Sequence, residues 1–261
     1  MLPFFRKRAR TLAVDPFSPQ RRGVIDRFVR NGLYAKAFRK KDHRLLRTFL
    51  SSYWGHEAKN FHEFAQDRFQ RMFLNHDVEV IDALEEHLQS QDFDQLYEIG
   101  CGGGQVIEYL CKRLTSIKHF TGIDLGEAQI KENQKCFHEP KISFQVADAV
   151  DWVPKNAKSK SIFLTNGGVI EYFLQEELQM LFGHIATERA PAAIVVIETI
   201  GSDHVLDTET DSLIYGREMS FSHNYPHLLR EAGFTIEHQS ERPGYLEDGG
   251  GRWLRVLAVK N

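Results

Sequence analysis

Glu98-Ile99-Gly100-Cys101-Gly102-Gly103-Gly104 decides the fold. The apolar run at 95–99 reads as a strand and the stretch from Gln105 as a helix, so Gly100, Gly102 and Gly104 fall in a strand-to-helix turn. Glycine is needed in such a turn because side chains would hold the backbone away from a ligand. The free N–H groups of the following helix N-terminus then attract a carboxylate or phosphate. A nucleotide-like ligand is expected. The dinucleotide fingerprint Gly-x-Gly-x-x-Gly would need glycine where Gln105 stands, which disfavours an NAD-linked oxidoreductase.

Outward from this turn, short apolar runs alternate with helical stretches, the pattern of a parallel sheet with crossover helices. Strands are expected at 95–99, 119–124, 141–146, 161–165 and 193–199, with helices near 105–114, 128–137, 175–187 and 225–232. The last two runs, Thr235 to Glu241 and Trp253 to Lys260, have no room for a helix between them. They predict an antiparallel hairpin at the sheet edge across Gly249-Gly250-Gly251. Asp124 ends the second strand, where a carboxylate is placed to accept both ribose hydroxyls. Asp148 follows the third, where it is placed to accept from the exocyclic amine of adenine.

With these residues in register, residues 77–261 resemble the class I S-adenosylmethionine-dependent methyltransferases, of the small-molecule type. The resemblance implies an α/β fold: a doubly wound, seven-stranded, mostly parallel sheet with a C-terminal antiparallel hairpin, here preceded by an N-terminal helical extension. It implies S-adenosylmethionine as cofactor. Glu98 stands where the family holds the methionine end, and Asp124 and Asp148 match its second and third acids. Gly100, Cys101, Gly102 and Gly104 in the loop, with Leu125 and Ala149 beside the acids, complete the cofactor-binding set. Asn166, after the fourth strand in Leu164-Thr165-Asn166-Gly167-Gly168, stands where many relatives carry Asp or Asn, although asparagine beside two glycines is also a common turn former.

Methyl transfer from a sulfonium is an in-line displacement that depends chiefly on alignment, with a base needed only for some acceptors. His223 is the candidate base, on the stretch that in relatives lies near the substrate mouth. His227 on the same stretch, Glu171 and Tyr172 after the fourth strand, and Tyr53 and Trp54 in the N-terminal extension are candidate acceptor-site residues. Tyr53, Trp54 and Phe61 are placed to form an aromatic lid, against the plainer reading of helical core aromatics. His56 and His62 lie on the same extension. The family's Asn/Asp-Pro-Pro-aromatic motif of base amino-methylation is missing, and no cysteine follows proline, so pyrimidine-carbon chemistry is disfavoured too. A small-molecule, glycan or lipid-linked acceptor, methylated at O or N, is expected. RNA methylation and a non-catalytic cofactor-binding regulator are the alternatives.

The 261 residues have ordinary globular composition, 42% hydrophobic and 26% charged. No apolar run approaches the ~20 residues of a spanning helix. Cys101, Cys111 and Cys136 form no Cys-x-x-Cys pair, so neither a disulfide framework nor a metal site is suggested, and a reducing cytoplasm is expected. Net charge is −3, yet residues 1–50 hold fourteen Lys or Arg against three Asp, a net of +11 that leaves −14 on the rest. Such an arm seeks an anionic membrane surface, an acidic partner, nucleic acid, or the protein's own acidic body. Nucleic acid is the less favoured of these. Three segments follow: a loose basic leader at 1–22, a basic amphipathic helical cap at 23–76, and the cofactor-binding domain at 77–261.

Overall fold

The computed structural model describes residues 3–64, 68–216, 220–244 and 251–261, with side chains from Arg6 to His56 in the first of these. The core strands follow the apolar runs: β1 Gln95–Ile99, β2 His119–Asp124, β3 Ile142–Val146, β4 Ser161–Asn166 and β5 Ala192–Ile200. Two short strands, β6 Leu213–Tyr215 and β7 Ser220–Ser222, pair separately, and β8 Thr235–Pro243 and β9 Arg252–Lys260 close the chain. Among the described residues, seven strands form one sheet in the order β3-β2-β1-β4-β5-β9-β8. Strands β1 to β5 pair parallel with one another, whereas β9 runs antiparallel to both β5 and β8. The expected hairpin is present, with its final strand inserted inside the edge. Gly249 and Gly250 of its turn lie outside the described residues.

The sheet is covered on both faces, which is why its central strands β1, β4 and β5 are buried at nearly every position rather than alternating. In β5, Ala193, Val195 and Ile197 enter one core, while Ile194 and Val196 enter the other. The first core is completed by helices α4 Val78–Leu88, α5 Gln105–Arg113 and α6 Glu127–Cys136. The second is completed by α7 Ala149–Asn156, α8 Gln175–Glu188 and α9 Tyr225–Glu231. Helix α7, absent from the sequence reading, is short and carries Pro154 within its last turn, which interrupts its helical pattern.

The N-terminal extension comprises α1 Pro3–Leu12, α2 Val24–Lys40 and α3 His43–Phe64. The leader is therefore not loose over 3–12. Pro3 sits at a helix start, where its missing N–H costs nothing, and Leu12 at the far end is fully buried. The connection onward is also tied down, because Phe17 N and Asp15 both bond the Ser52 hydroxyl on α3. After α3 the chain takes a π-helical course over Phe69–Asp77, whose wider turn departs from the 3.6-residue period sought in the sequence. Among the described residues, no helix is long and apolar enough to cross a membrane.

Candidate active site

A cavity of about 600 Å³ opens over the C-terminal ends of the parallel strands. Its floor is the glycine loop. Gly100 N and Cys101 N both donate to Ile123 O, at 2.7 and 3.1 Å, which folds the loop back against β2. Gly100, Gly102 and Gly104 all have positive φ, and a Cβ on Gly100 would stand 2.4 Å from the Val169 methyls. Only glycine fits there without strain. Gly104 serves as N-cap of α5 and does not line the cavity, so its role is to turn the chain, not to contact a ligand.

Three acids converge on this floor. Glu98 is 2% exposed, burial and the neighbouring Asp124 push its carboxyl well above the usual carboxylate range, and its Oε2 has no hydrogen-bond partner among the described residues. An orphaned buried oxygen facing a cavity is a place for a ligand donor. Asp124 accepts from Gly102 N at 2.9 Å through one oxygen and from Gly126 N at 2.8 Å through the other. Those bonds aim the carboxylate and leave further lone pairs for hydroxyl donors. Asp148 is the N-cap of α7, accepting from Val150 N at 3.1 Å. Leu125, Ala149 and Asn166 line the same cavity, as expected from the sequence.

The roof comes from the extension, and its key residue was counted in the sequence only as one basic charge among fourteen. Arg47 of α3 is 6% exposed, bonds Asp148 Oδ2 at 2.8 Å and Glu177 Oε2 at 2.9 Å, and lies over the Phe173 ring. Ser51 and Trp54 follow at helical spacing onto the cavity wall, with the Trp54 ring 5.5 Å from that of Tyr172. Tyr53 faces away. It is 38% exposed, packs on Phe17 and does not line the cavity, because adjacent helical positions point about 100° apart. The Phe61 and His62 side chains lie outside the described residues. His56 turns to Asp15 instead.

The remaining wall lies over β4 and β5. Glu171, in a 3₁₀ turn after β4, accepts through Oε2 from Thr199 Oγ1 at 2.8 Å and from the Tyr215 hydroxyl at 2.5 Å. Burial and the Glu171 charge push the Tyr215 phenol upward, so it remains a donor. Behind this group, Glu198 is fully buried, accepts from Thr165 Oγ1 and Val169 N, and is pushed up to about 8 by burial. Thr199 and Tyr215 carried no sequence signal, since they reach the site from β5 and from a strand about fifteen residues further along.

Two further expected residues, besides Gly104 and Tyr53, are not at this site. His223 has no exposure, does not line the cavity, and packs between the Phe221 and Tyr225 rings with Nδ1 bonded to Ser212 Oγ. Burial pushes it down to about 3, so it stays neutral and the catalytic assignment does not stand. His227 sits on the outer side of α9, 3.3 Å from Glu231, away from the cavity. Both follow β7, which belongs to the small second sheet that the strand pattern did not reveal.

A nucleoside-cofactor-binding α/β domain is thus defined by loop, acids and strand order together. Residues 96–191 match the model of the methyltransferase domain. The chain therefore carries a methyltransferase domain over these residues, within the fold of the S-adenosylmethionine-dependent methyltransferases. Solved structures with this fold include a putative sarcosine dimethylglycine methyltransferase from Galdieria sulphuraria, with 11% identity, TM-score 0.56, and 74% of this chain and 88% of that one covered. Another is the Burkholderia thailandensis 1,6-didemethyltoxoflavin-N1-methyltransferase bound to its substrate and S-adenosylhomocysteine, at 17%, 0.51, 70% and 76%. A third is the magnesium protoporphyrin IX methyltransferase of Synechocystis PCC 6803 with the cofactor bound, at 14%, 0.50, 70% and 78%. No curated protein matches this sequence. These residues would suit S-adenosylmethionine: Glu98 would offer its unmet oxygen to an ammonium, Asp124 its remaining lone pairs to ribose hydroxyls, and Asp148 an acceptor for the adenine amine.

Proposed function

We propose that this methyltransferase acts on a small organic acceptor, free or linked to a glycan or lipid carrier, at nitrogen or oxygen, with Glu171 as the base. The observation carrying this reading is the carboxylate of Glu171 in the cavity wall, oriented by Thr199 and Tyr215. Strand order supports the division of the cavity. Asp148 and Asp124 follow β3 and β2, Glu98 ends β1, and Glu171 and Thr199 belong to the β4–β5 end. An acceptor therefore approaches from the β4–β5 side, beyond the methionine position.

When bound, S-adenosylmethionine supplies an electrophilic methyl on a sulfonium. Glu171 would take the proton from the acceptor's N–H or O–H as that atom bonds the methyl and the cofactor's sulfur departs with the carbon–sulfur electron pair. Trp54 and Tyr172 cover the acceptor and exclude water. The cavity volume lies within the roughly 300–1,000 Å³ of small-molecule sites, which favours a compact acceptor. A non-catalytic regulator has no use for an oriented carboxylate at the far end of its cofactor site.

The test follows isotopically labelled methyl from the cofactor into a cell lysate by mass spectrometry, comparing the native chain with Glu171→Gln. The expected result is label in a small molecule or its carrier-linked form, with kcat reduced about 10²–10⁴-fold in the variant and cofactor affinity within about twofold. Label found only in RNA, or full activity in Glu171→Gln, would overturn the reading.

A further inference from the structure

Helix α2 is held by its inner face and leaves an apolar outer face uncovered. Ala37 packs with Leu46, Leu174 and Phe221, while Val24 and Phe28 on the other side are 79% and 77% exposed. Ile25 and Phe38 flank them, also exposed. Among the described residues, five of the nine exposed large hydrophobics fall between Val14 and Phe38. Single exposed hydrophobics are ordinary, but a cluster on one helix face marks an interaction surface.

The charges around it indicate the partner. Arg27, Lys36, Arg39 and Lys40 are exposed on or beside this face. Between positions 16 and 41 the one acid is Asp26, which is buried and paired with Arg8 at 3.3 Å. Among the described residues, the bridges from the extension to the acidic helix α8 run from α3, through Arg44 to Glu176 and Arg47 to Glu177, rather than from this face. A second copy docking the same face would set two clusters of like charge against each other. Nucleic acid would use the basic residues, but valine and isoleucine neither stack on bases nor contact phosphate. Aliphatic and phenyl groups rimmed by cations match one surface, an anionic bilayer with acyl chains beneath phosphate headgroups.

We propose that the outer face of α2, centred on Val24 and Phe28 and rimmed by Arg27, Lys36, Arg39 and Lys40, docks the enzyme on an anionic lipid bilayer. The docking stands independently of which acceptor is methylated. Because α3 packs beside α2 and carries Arg47, Ser51 and Trp54 to the cavity, docking surface and active site share one helical unit.

The test is sedimentation of the full chain with phosphatidylcholine vesicles, with and without phosphatidylglycerol, beside the double variant Val24→Ser/Phe28→Ser. Both substitutions are at exposed positions, and a circular dichroism melt checks that the fold is kept. The expected result is binding that requires phosphatidylglycerol and weakens at least about tenfold in the double variant. Equal vesicle binding by both proteins would overturn the proposal. So would absence of vesicle binding, whether accompanied by affinity for a short RNA or by an oligomer that the double variant dissociates.

Discussion

The two ends of the cavity are built by different means. Over β1–β3 the ligand-facing groups are set by backbone: positive-φ glycines, amides donating to Ile123 O, and acids at strand ends aimed by neighbouring N–H groups. Over β4–β5 they are set by side chains from distant segments, with Glu171, Thr199 and Tyr215 meeting across more than forty positions of sequence. The first arrangement constrains residue types at fixed spacing. The second constrains only contacts, so it tolerates many sequences and can change acceptor without changing cofactor.

Glycine substitutions test this contrast most severely. Gly100→Val places a branched side chain at positive φ and against Val169, with an expected loss of about 3–5 kcal/mol in chemical denaturation. At the other end, Gly167 also has positive φ but open space around its Cβ position, so Gly167→Ala should cost only about 1 kcal/mol. Comparable losses at both sites would break the distinction.

Arg47 joins the two ends, and its removal leaves Asp148 and Glu177 facing each other's charge without a cation. Both carboxylates keep some solvent contact, which discounts the penalty. Arg47→Ala should lower stability by about 2–3 kcal/mol in urea denaturation and weaken cofactor binding as the roof loosens. A stability change with unaltered cofactor affinity would show that the roof is structural only.

A smaller effect is expected from Glu198, behind the acceptor wall. Its folded value of about 8 lies above the ordinary 4.5, so the folded state holds the extra proton between these values and stability falls as pH rises through that window. Glu198→Gln cannot ionise, and should flatten that decline across the window. An unchanged pH slope of the melting temperature would mean that this carboxyl ionises freely in the fold.

The same contrast explains what the sequence disclosed. Short apolar runs and the glycine spacing located β1, β2 and their loop to the residue, because buried parallel strands and positive-φ turns admit few residue types. Asp124 and Asp148 were legible for that reason. Arg47 was not, since nothing in a basic amphipathic pattern separates a cation that enters a site from one that faces water. His223 misled in the opposite direction: a histidine near the expected substrate mouth proved to be a neutral core residue beneath the small β6–β7 sheet. Helix α1 was hidden by the prolines around it, and the π-helical stretch by its period.

The most direct measurement is calorimetric titration of the full chain with S-adenosylmethionine and S-adenosylhomocysteine, beside Asp124→Ala. The structure predicts one saturable site per chain for both ligands, and affinity lower by about a hundredfold in the variant, which loses the loop bonds to Gly102 and Gly126 together with the ribose acceptor. No binding of either ligand by the native chain, or equal binding by the variant, would contradict the placement of the cofactor on the glycine loop.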